Sequence, residues 1–331
     1  MSRTHRCFVV DQSATGAITA SIEPRLVDSL PPGDVTIRVL RSAVNYKDAL
    51  AATGHPGIVK TFPHVPGIDA AGVVLESSSD RFWPGDEVIT TGHELGVERW
   101  GGWSEHVRVP ADWVLPLPSG LTIEESMQLG TAGFTAAQCI EALQRHEITP
   151  DSGEVVVTGA TGGVGSLSVQ ILAKLGYAVV AVSGKPDQSD WLISLGAARI
   201  ISRDEFLTTP DRPLLKASFA GAIDTVGGAV LATLLKTIHQ RGCVACCGVA
   251  GGADLITTVY PFILRGITLA GIDSAWCPDD LRPLIWNKLA AEWKPANLKC
   301  NTIGLKDVGS VVSAMLAGRT IGRTLIDPSQ S

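Results

Sequence analysis

The stretch "EVVVTGATGGVGSLSVQILAKLG", Glu154 to Gly176, constrains this chain more than any other. A run of valines leads into a turn holding Gly159, Gly162, Gly163 and Gly165, and apolar residues at helical spacing follow. A strand that ends in a glycine-rich turn and opens a helix is the context of a phosphate-binding loop. Glycine lets backbone N–H groups approach a pyrophosphate closely, and the helix N-terminus adds partial positive charge. Gly159, Gly162 and Gly165 form G-x-x-G-x-x-G, a variant of the G-x-G-x-x-G dinucleotide fingerprint. The alternative is a tight strand-to-helix turn without a ligand. No Lys-Ser/Thr pair follows the last glycine, so the loop is not a P-loop.

The surrounding texture fits a nucleotide-binding sheet. "EVVVTG", "AVVAVSG", "ARIIS", "AGAIDTVG", "GCVACCGVAG" and "ITLAGIDS" are short apolar runs, with helices between the first of them. Buried strands alternating with helices predict a parallel, doubly wound α/β sheet. "TIEESMQLGTAGFTAAQCIEALQR" reads as one helix opened by a capping box, Thr122 with Glu125 three residues later. Before about residue 120 the chain is different. "DVTIRVLRS", "IDAAGVVLES", "DEVITTG" and "SEHVRVP" are short alternating runs punctuated by proline and glycine, which predicts a barrel-like β domain. The last stretch, from Leu298, adds a strand, a helix and a strand that we expect to return to the first domain. The expected boundaries are 1–121, completed by 296–331, for the β domain and 122–295 for the α/β domain.

Which dinucleotide the loop holds is decided at the end of the next strand. An NAD-binding site carries an acid roughly 20 residues beyond the glycines, on the ribose 2′-hydroxyl. Here "AVVAVSGKPDQ" offers Ser183 and Lys185, and Arg203 follows the third strand. A hydroxyl and two cations suit a 2′-phosphate. NADPH is the expected cofactor, with Asp187 beyond Pro186 as the residue that argues the other way.

A net charge of -6 and the lack of any basic cluster give no reason to expect nucleic acid or an anionic membrane as partner. No run reaches the ~18 apolar residues that span a bilayer, and "MSRTHRCFVVDQ" has no apolar h-region, so a cytoplasmic protein is expected. Seven cysteines are too few and too odd in number for a disulfide framework. "GCVACCG" reads as a buried strand of small residues rather than a metal or redox pair.

Beyond the glycine turn, several further segments carry a resemblance. "NYKDALAATG", "FPHVPGIDAAGVV", "WGGWSEH", "LGTAGFTAAQC", "SLGAARIISRDEF" and "PFILRGITLAGIDS" run almost end to end. In these the chain resembles the zinc-independent quinone oxidoreductase branch of the medium-chain dehydrogenase/reductase superfamily, and within it the acrylyl-CoA reductases. The resemblance implies a GroES-like catalytic domain with a Rossmann domain inserted, and NADPH-dependent reduction of an activated C=C bond, acrylyl-CoA by preference. The alternatives are a quinone or enone reductase indifferent to CoA, and a cofactor-binding member without turnover. A homodimer formed through "TTVYPFILRGITLAGID", read as one long strand-like segment at the sheet edge, is also implied.

Zinc-dependent members of that superfamily use Cys and His ligands. Their first ligand falls near Asn45 and a second at Ile68 or Asp69, no Cys occurs between Cys7 and Cys139, and His93 and His106 read as surface or core histidines. No metal is expected. Polarising a substrate carbonyl then falls to hydrogen-bond donors. The resemblance places "NYKD" beside the nicotinamide, which makes Asn45 and Tyr46 the candidate catalytic residues, with Lys47 and Asp48 as structural or proton-relay partners. The alternative for Tyr46 is packing against the cofactor. By the same carry-over Thr131 and Thr135 approach the nicotinamide, Thr161, Gly162, Gly163 and Val164 line the phosphates, Val249 and Ser274 run under the cofactor, and Arg323 reaches phosphate or substrate.

Overall fold

The computed structural model describes residues 4–296 and 300–330. The chain separates into two compact units, Met1–Thr131 with Ala275–Ala290 and Lys299–Ser331, and Ala132–Ser274 with Ala291–Leu298.

A hairpin opens the first unit, β1 (Thr4–Gln12) paired antiparallel with β2 (Ile18–Leu26). β3 (Val35–Ala43) leads into a short helix, α1 (Tyr46–Ala52), and β4 (Asp69–Ser77), β5 (Glu87–Thr91), β6 (His106–Val109) and β7 (Val114–Pro116) follow. These strands are the short alternating runs of the sequence, with one face turned to a core of Val35, Ile37, Val74, Val88 and Val107. Trp103 fills a second core against Phe8 and donates its indole N–H to the Ala43 carbonyl at 3.0 Å.

α2 (Ile123–Arg145) starts as expected: Glu125 accepts the Thr122 backbone N–H at 2.9 Å and returns its own to the Thr122 hydroxyl at 3.1 Å. It is not one helix, however. Gly130 sits at φ 51°, ψ −155°, a conformation no helix contains, so the helical stretches before and after it are separate.

The second unit alternates strand and helix: β8 (Val155–Thr158), α3 (Gly163–Lys174), β9 (Val179–Ser183), α4 (Ser189–Ser194), β10 (Arg199–Ser202), α5 (Arg203–Leu207), β11 (Phe219–Asp224), α6 (Gly228–Thr237), β12 (Ile238–Cys246), α7 (Tyr260–Arg265) and β13 (Thr268–Gly271). Its six strands lie in the order β10-β9-β8-β11-β12-β13 and every pairing is parallel. This is the 3-2-1-4-5-6 arrangement of a Rossmann sheet, counted from β8. β8, β9 and β11 are buried along their whole length, which is why they read as unbroken apolar runs. The segment read as one long edge strand is instead α7 followed by β13. Pro261 in the first helical turn and left-handed Gly266, at φ 60°, impose a helix and its end.

α8 (Leu281–Ala290), β14 (Cys300–Ile303), α9 (Val308–Leu316) and β15 (Arg323–Ile326) belong to the first unit. β15 pairs antiparallel with β3, and the larger sheet runs β14-β15-β3-β4-β5-β7, with β6 also on β3. That pairing carries Arg323 to the C-terminal end of β3, where α1 begins.

Candidate active site

In the first unit Asn45 and Asp48 from the start of α1, Asp69 from β4 and Arg323 from β15 form one polar set, in which the two acids and the arginine are buried. Asn45 lies in extended backbone at the start of α1, and the Asp48 carboxylate reaches back to its backbone N–H at 2.8 Å, one half of a capping box. The other Asp48 oxygen accepts the Gly67 and Ile68 backbone N–H groups at 3.1 and 2.8 Å. Asp69 opens β4 and is fully buried. It accepts the Thr131 hydroxyl at 2.6 Å and the Thr131 N–H at 2.9 Å. The Asn45 carboxamide bridges the two acids, its Nδ2 donating to Asp48 at 3.1 Å and to Asp69 at 2.8 Å. Arg323 completes the set. Its guanidinium donates to the Asn45 Oδ1 at 2.9 Å and the Gln128 carbonyl at 3.0 Å, and lies 3.7 Å from Asp69.

Two expectations change here. Asn45 was a candidate donor to substrate, yet both its Nδ2 hydrogens go to carboxylates and its oxygen is taken by Arg323. It positions its neighbours. Arg323, expected at phosphate or substrate, is turned inward and buried. Tyr46, the first residue of α1, is 43% exposed, and among the described residues its phenol has no hydrogen-bond partner. Lys47 is half-buried beside it. The residue that sequence reasoning missed is Asp69. The signal was an acid inside the otherwise apolar "PGIDAAGVV".

In the second unit the loops leaving the strands' C-terminal ends come together, where open α/β sheets bind ligands. Gly159 has φ 57°, and a Cβ there would strike the Thr225 hydroxyl; one on Gly165 would strike the Gly159 carbonyl. Those two glycines press the helix onto the strand; Gly162, in extended backbone, precedes the 12-residue helix that Gly163 and Val164 open. The Thr161 side chain is buried. Asp224, at the end of β11, accepts the Thr158 hydroxyl at 2.7 Å and the Gly227 N–H at 2.8 Å and braces the neighbouring loop. Thr135 donates to the Ser274 hydroxyl at 2.8 Å, so these two candidates meet, and Val249 is exposed on the loop after β12.

Ser183 and Ser202 are paired across β9 and β10, which brings Lys185 and Arg203 to one edge. The Ser183 hydroxyl accepts the Lys185 N–H at 3.0 Å, and a Cβ on Gly184 would meet the Arg203 guanidinium at 3.1 Å. Neither strand ends in a carboxylate, so the residues present fit a phosphate on a ribose 2′-oxygen and a pyrophosphate at the glycine turn.

Cys243 and Cys246 lie along β12, where burial pushes both thiols up to about 11 and keeps them protonated. His93 is stacked on Trp113 at 5.1 Å, and burial lowers it to about 4, whereas His106 sits edge-on to His5 at 5.5 Å. Among the described residues no three His, Cys, Asp or Glu are grouped to hold a metal ion.

The two carboxylates lie close enough for one to alter the other's proton balance. Burial, with Asp69 close by, pushes Asp48 up to about 7, while the Asn45 and Ile68 N–H groups hold it down. Unfolded, Asp48 would titrate near its ordinary 3.8. Between about pH 4 and about pH 7 the folded chain therefore keeps a proton that the unfolded chain has released, and stability falls as pH rises. We expect the stability of wild type relative to Asp48→Asn to drop by a few kcal/mol from about pH 4 to about pH 8. Urea unfolding at both pH values measures it, and a difference that stays flat or rises would show that the N–H donors outweigh burial.

The comparisons agree with this geometry. Residues 31–119 match the alcohol dehydrogenase GroES-like domain and residues 163–289 the zinc-binding dehydrogenase family. A probable acrylyl-CoA reductase of Escherichia coli is 47% identical over 94% of this chain and 96% of its own. An oxidoreductase of Salmonella enterica, solved in complex with NADP, superposes with a TM-score of 0.92 at 46% identity, over 97% of this chain and 99% of that one. A Bacillus subtilis protein described as a putative quinone oxidoreductase and solved with NAD bound gives 0.95 at 41% identity, over 98% of this chain and 100% of that one. The chain belongs to the medium-chain dehydrogenase/reductase superfamily, in its quinone oxidoreductase branch alongside the acrylyl-CoA reductases.

Proposed function

We propose that this chain reduces an activated C=C bond with NADPH and without zinc, taking acrylyl-CoA to propanoyl-CoA. The observation that carries the reading is the polar set of Asn45, Asp48, Asp69 and Arg323, with Tyr46 next in sequence to Asn45. The resemblance puts zinc ligands of metal-dependent relatives near Asn45 and at Ile68 or Asp69, and here Asn45 and Asp69 are bonded to each other. NADPH, when bound, would supply the hydride for the β-carbon; a proton added at the α-carbon completes the reduction, and positioning, charge stabilisation and proton delivery fall to the chain. Negative charge builds on the substrate carbonyl oxygen and needs a fixed donor. The Tyr46 phenol is the exposed one, with Asn45 and Asp48 fixing its helix. Thr135 and Ser274, joined by their hydroxyls, are proposed to line the nicotinamide. Thr161, Gly162, Gly163 and Val164 are proposed for the pyrophosphate, Val249 for the cofactor's flank, and Ser183, Lys185 and Arg203 for the 2′-phosphate.

A second reading, a quinone or enone reductase with no preference for CoA esters, is favoured by the description of the Bacillus subtilis relative. Steady-state NADPH oxidation with acrylyl-CoA and with a simple quinone, both in chelator, separates the two. We expect turnover in chelator and faster reduction of acrylyl-CoA. A quinone preference favours the second reading, and activity lost together with one equivalent of zinc overturns the metal-free one.

The reading includes a cytoplasmic homodimer acting on small molecules. All seven cysteines are free thiols, as in a reducing compartment. Among the described residues no helix is long and apolar enough to cross a membrane. α7 exposes Tyr260, Ile263 and Leu264 in the segment leading to the edge strand β13, and a strand edge beside apolar side chains is ordinarily covered. Sedimentation at micromolar concentration should show a dimer; a sole 34.7 kDa species would refute it.

Cofactor choice gives the sharpest test. A charge-assisted contact to the 2′-phosphate contributes about 1.5–3 kcal/mol, roughly ten- to a hundredfold in affinity. Lys185→Ala should raise KM for NADPH by about that factor and leave NADH kinetics nearly unchanged. Ser183→Asp should reverse the preference, because an acid there repels phosphate and accepts a free 2′-hydroxyl. Equal losses with both cofactors in Lys185→Ala would mean that the lysine only shapes the turn before Pro186.

A further inference from the structure

We propose that Asp69 is the positioning residue of the reductase site, a buried carboxylate that gathers Asn45, Thr131 and Arg323 and thereby fixes where Tyr46 is presented. The proposal rests on the reductase reading above. Asp69 belongs to β4, whereas its partners come from the start of α1, the break in α2 and β15. Arg323 also reaches the start of α1 and the first stretch of α2, through the Asn45 Oδ1 and the Gln128 carbonyl, and Asp69 joins β4 and Thr131 to that point. Asn45 is the key link, because Tyr46 follows it directly and its carboxamide can bridge Asp48 and Asp69 only while both carboxylates stay in place.

Packing alone does not ask for this arrangement. An apolar set of similar volume stabilises a core as well as a buried ion pair does. Here one acid is buried against a guanidinium with a second acid bridged to it by Asn45, and position is what such a set supplies. Gly130 gives an independent indication. Its φ of 51° suits glycine, and a Cβ there would come within 2.5 Å of the Asp69 Oδ2 and 2.8 Å of the Arg323 Nη2. The chain passes this close to the pair at a glycine, and the next residue, Thr131, delivers both its N–H and its hydroxyl to Asp69.

Asp69→Asn keeps the shape but turns one acceptor into a donor that faces the donors of Asn45 or Thr131, and it strips Arg323 of its counter-charge. The charged and titratable groups facing Asp48 are Asp69 from β4 and Arg323 from β15, with the Cys300 thiol of β14 behind Arg323. Removing the Asp69 charge must therefore move the titration of Asp48 to lower pH.

The experiment uses the full chain with three readouts: NADPH affinity by fluorescence titration, kcat with the preferred substrate, and the Asp48 midpoint from the pH dependence of unfolding. In Asp69→Asn we expect NADPH affinity within about threefold of wild type, kcat down roughly ten- to a hundredfold as for a displaced catalytic group, and a lower Asp48 midpoint. Thr131→Val, which removes one hydroxyl and keeps the N–H, should give a smaller loss of kcat and serves if Asp69→Asn does not fold. Gly130→Ala alters no ionisable group and should lose kcat as Asp69→Asn does. Wild-type kcat in Asp69→Asn, or a loss that follows folded fraction alone while the Asp48 midpoint stays put, would overturn the proposal. If the wild type reduces neither acrylyl-CoA nor quinone, the reductase reading falls, and the Asp48 midpoint still decides whether Asp69 governs its neighbour, because it needs no turnover.

Discussion

Two buried carboxylates, Asp48 and Asp69, bridged by one carboxamide, with a guanidinium beside the second, form the interaction on which the first unit depends. A carboxyl group buried in an apolar core without hydrogen-bond donors carries a desolvation cost that a domain's net stability cannot absorb. Each is kept by donors that come from elsewhere in the sequence: backbone N–H groups of residues 67 and 68, the Asn45 amide, Thr131 and Arg323. The ends of β3, β4 and β15, the start of α1 and the break in α2 are consequently pinned at one place. A loss at any of these strands leaves a charge without its partner, so the sheet and the polar set are cooperative in a way that apolar packing alone does not enforce.

The second unit depends on a different device. Its glycine turn contributes no side chain, only the absence of Cβ atoms at Gly159 and Gly165, which lets α3 sit against β8 with its N-terminal N–H groups open. Specificity for the far end of a dinucleotide is left to the last residues of β9 and the first of α5, where Ser183, Lys185 and Arg203 lie without an acid on either strand end. Recognition of the shared pyrophosphate and discrimination between cofactors are thus carried by separate parts of one sheet.

Much of this was legible in the residues. The buried valine runs, the glycine spacing and the missing acid after β9 all act locally, over a turn or a strand, and local rules are what a sequence displays. The capping box of Thr122 and Glu125 is another case. What stayed hidden was set by long-range geometry. Asp69 reads as a polar interruption in a strand until β15 returns 254 residues later to place Arg323 beside it. Asn45 reads as a free donor until both its amide hydrogens are seen to be taken. α2 reads as continuous because a glycine inside a helical pattern is ordinarily tolerated; only the pair behind Gly130 shows why the chain must turn there. The apolar segment around Pro261 read as a strand because its length and composition suit either structure, and a left-handed glycine settled it.

Gly130 also constrains how such a chain can change over generations. A side chain at that position is accommodated only if Asp69 and Arg323 withdraw, and the withdrawal of either leaves the other charged and buried. A single substitution at any of the three positions is therefore costly unless the other two change with it.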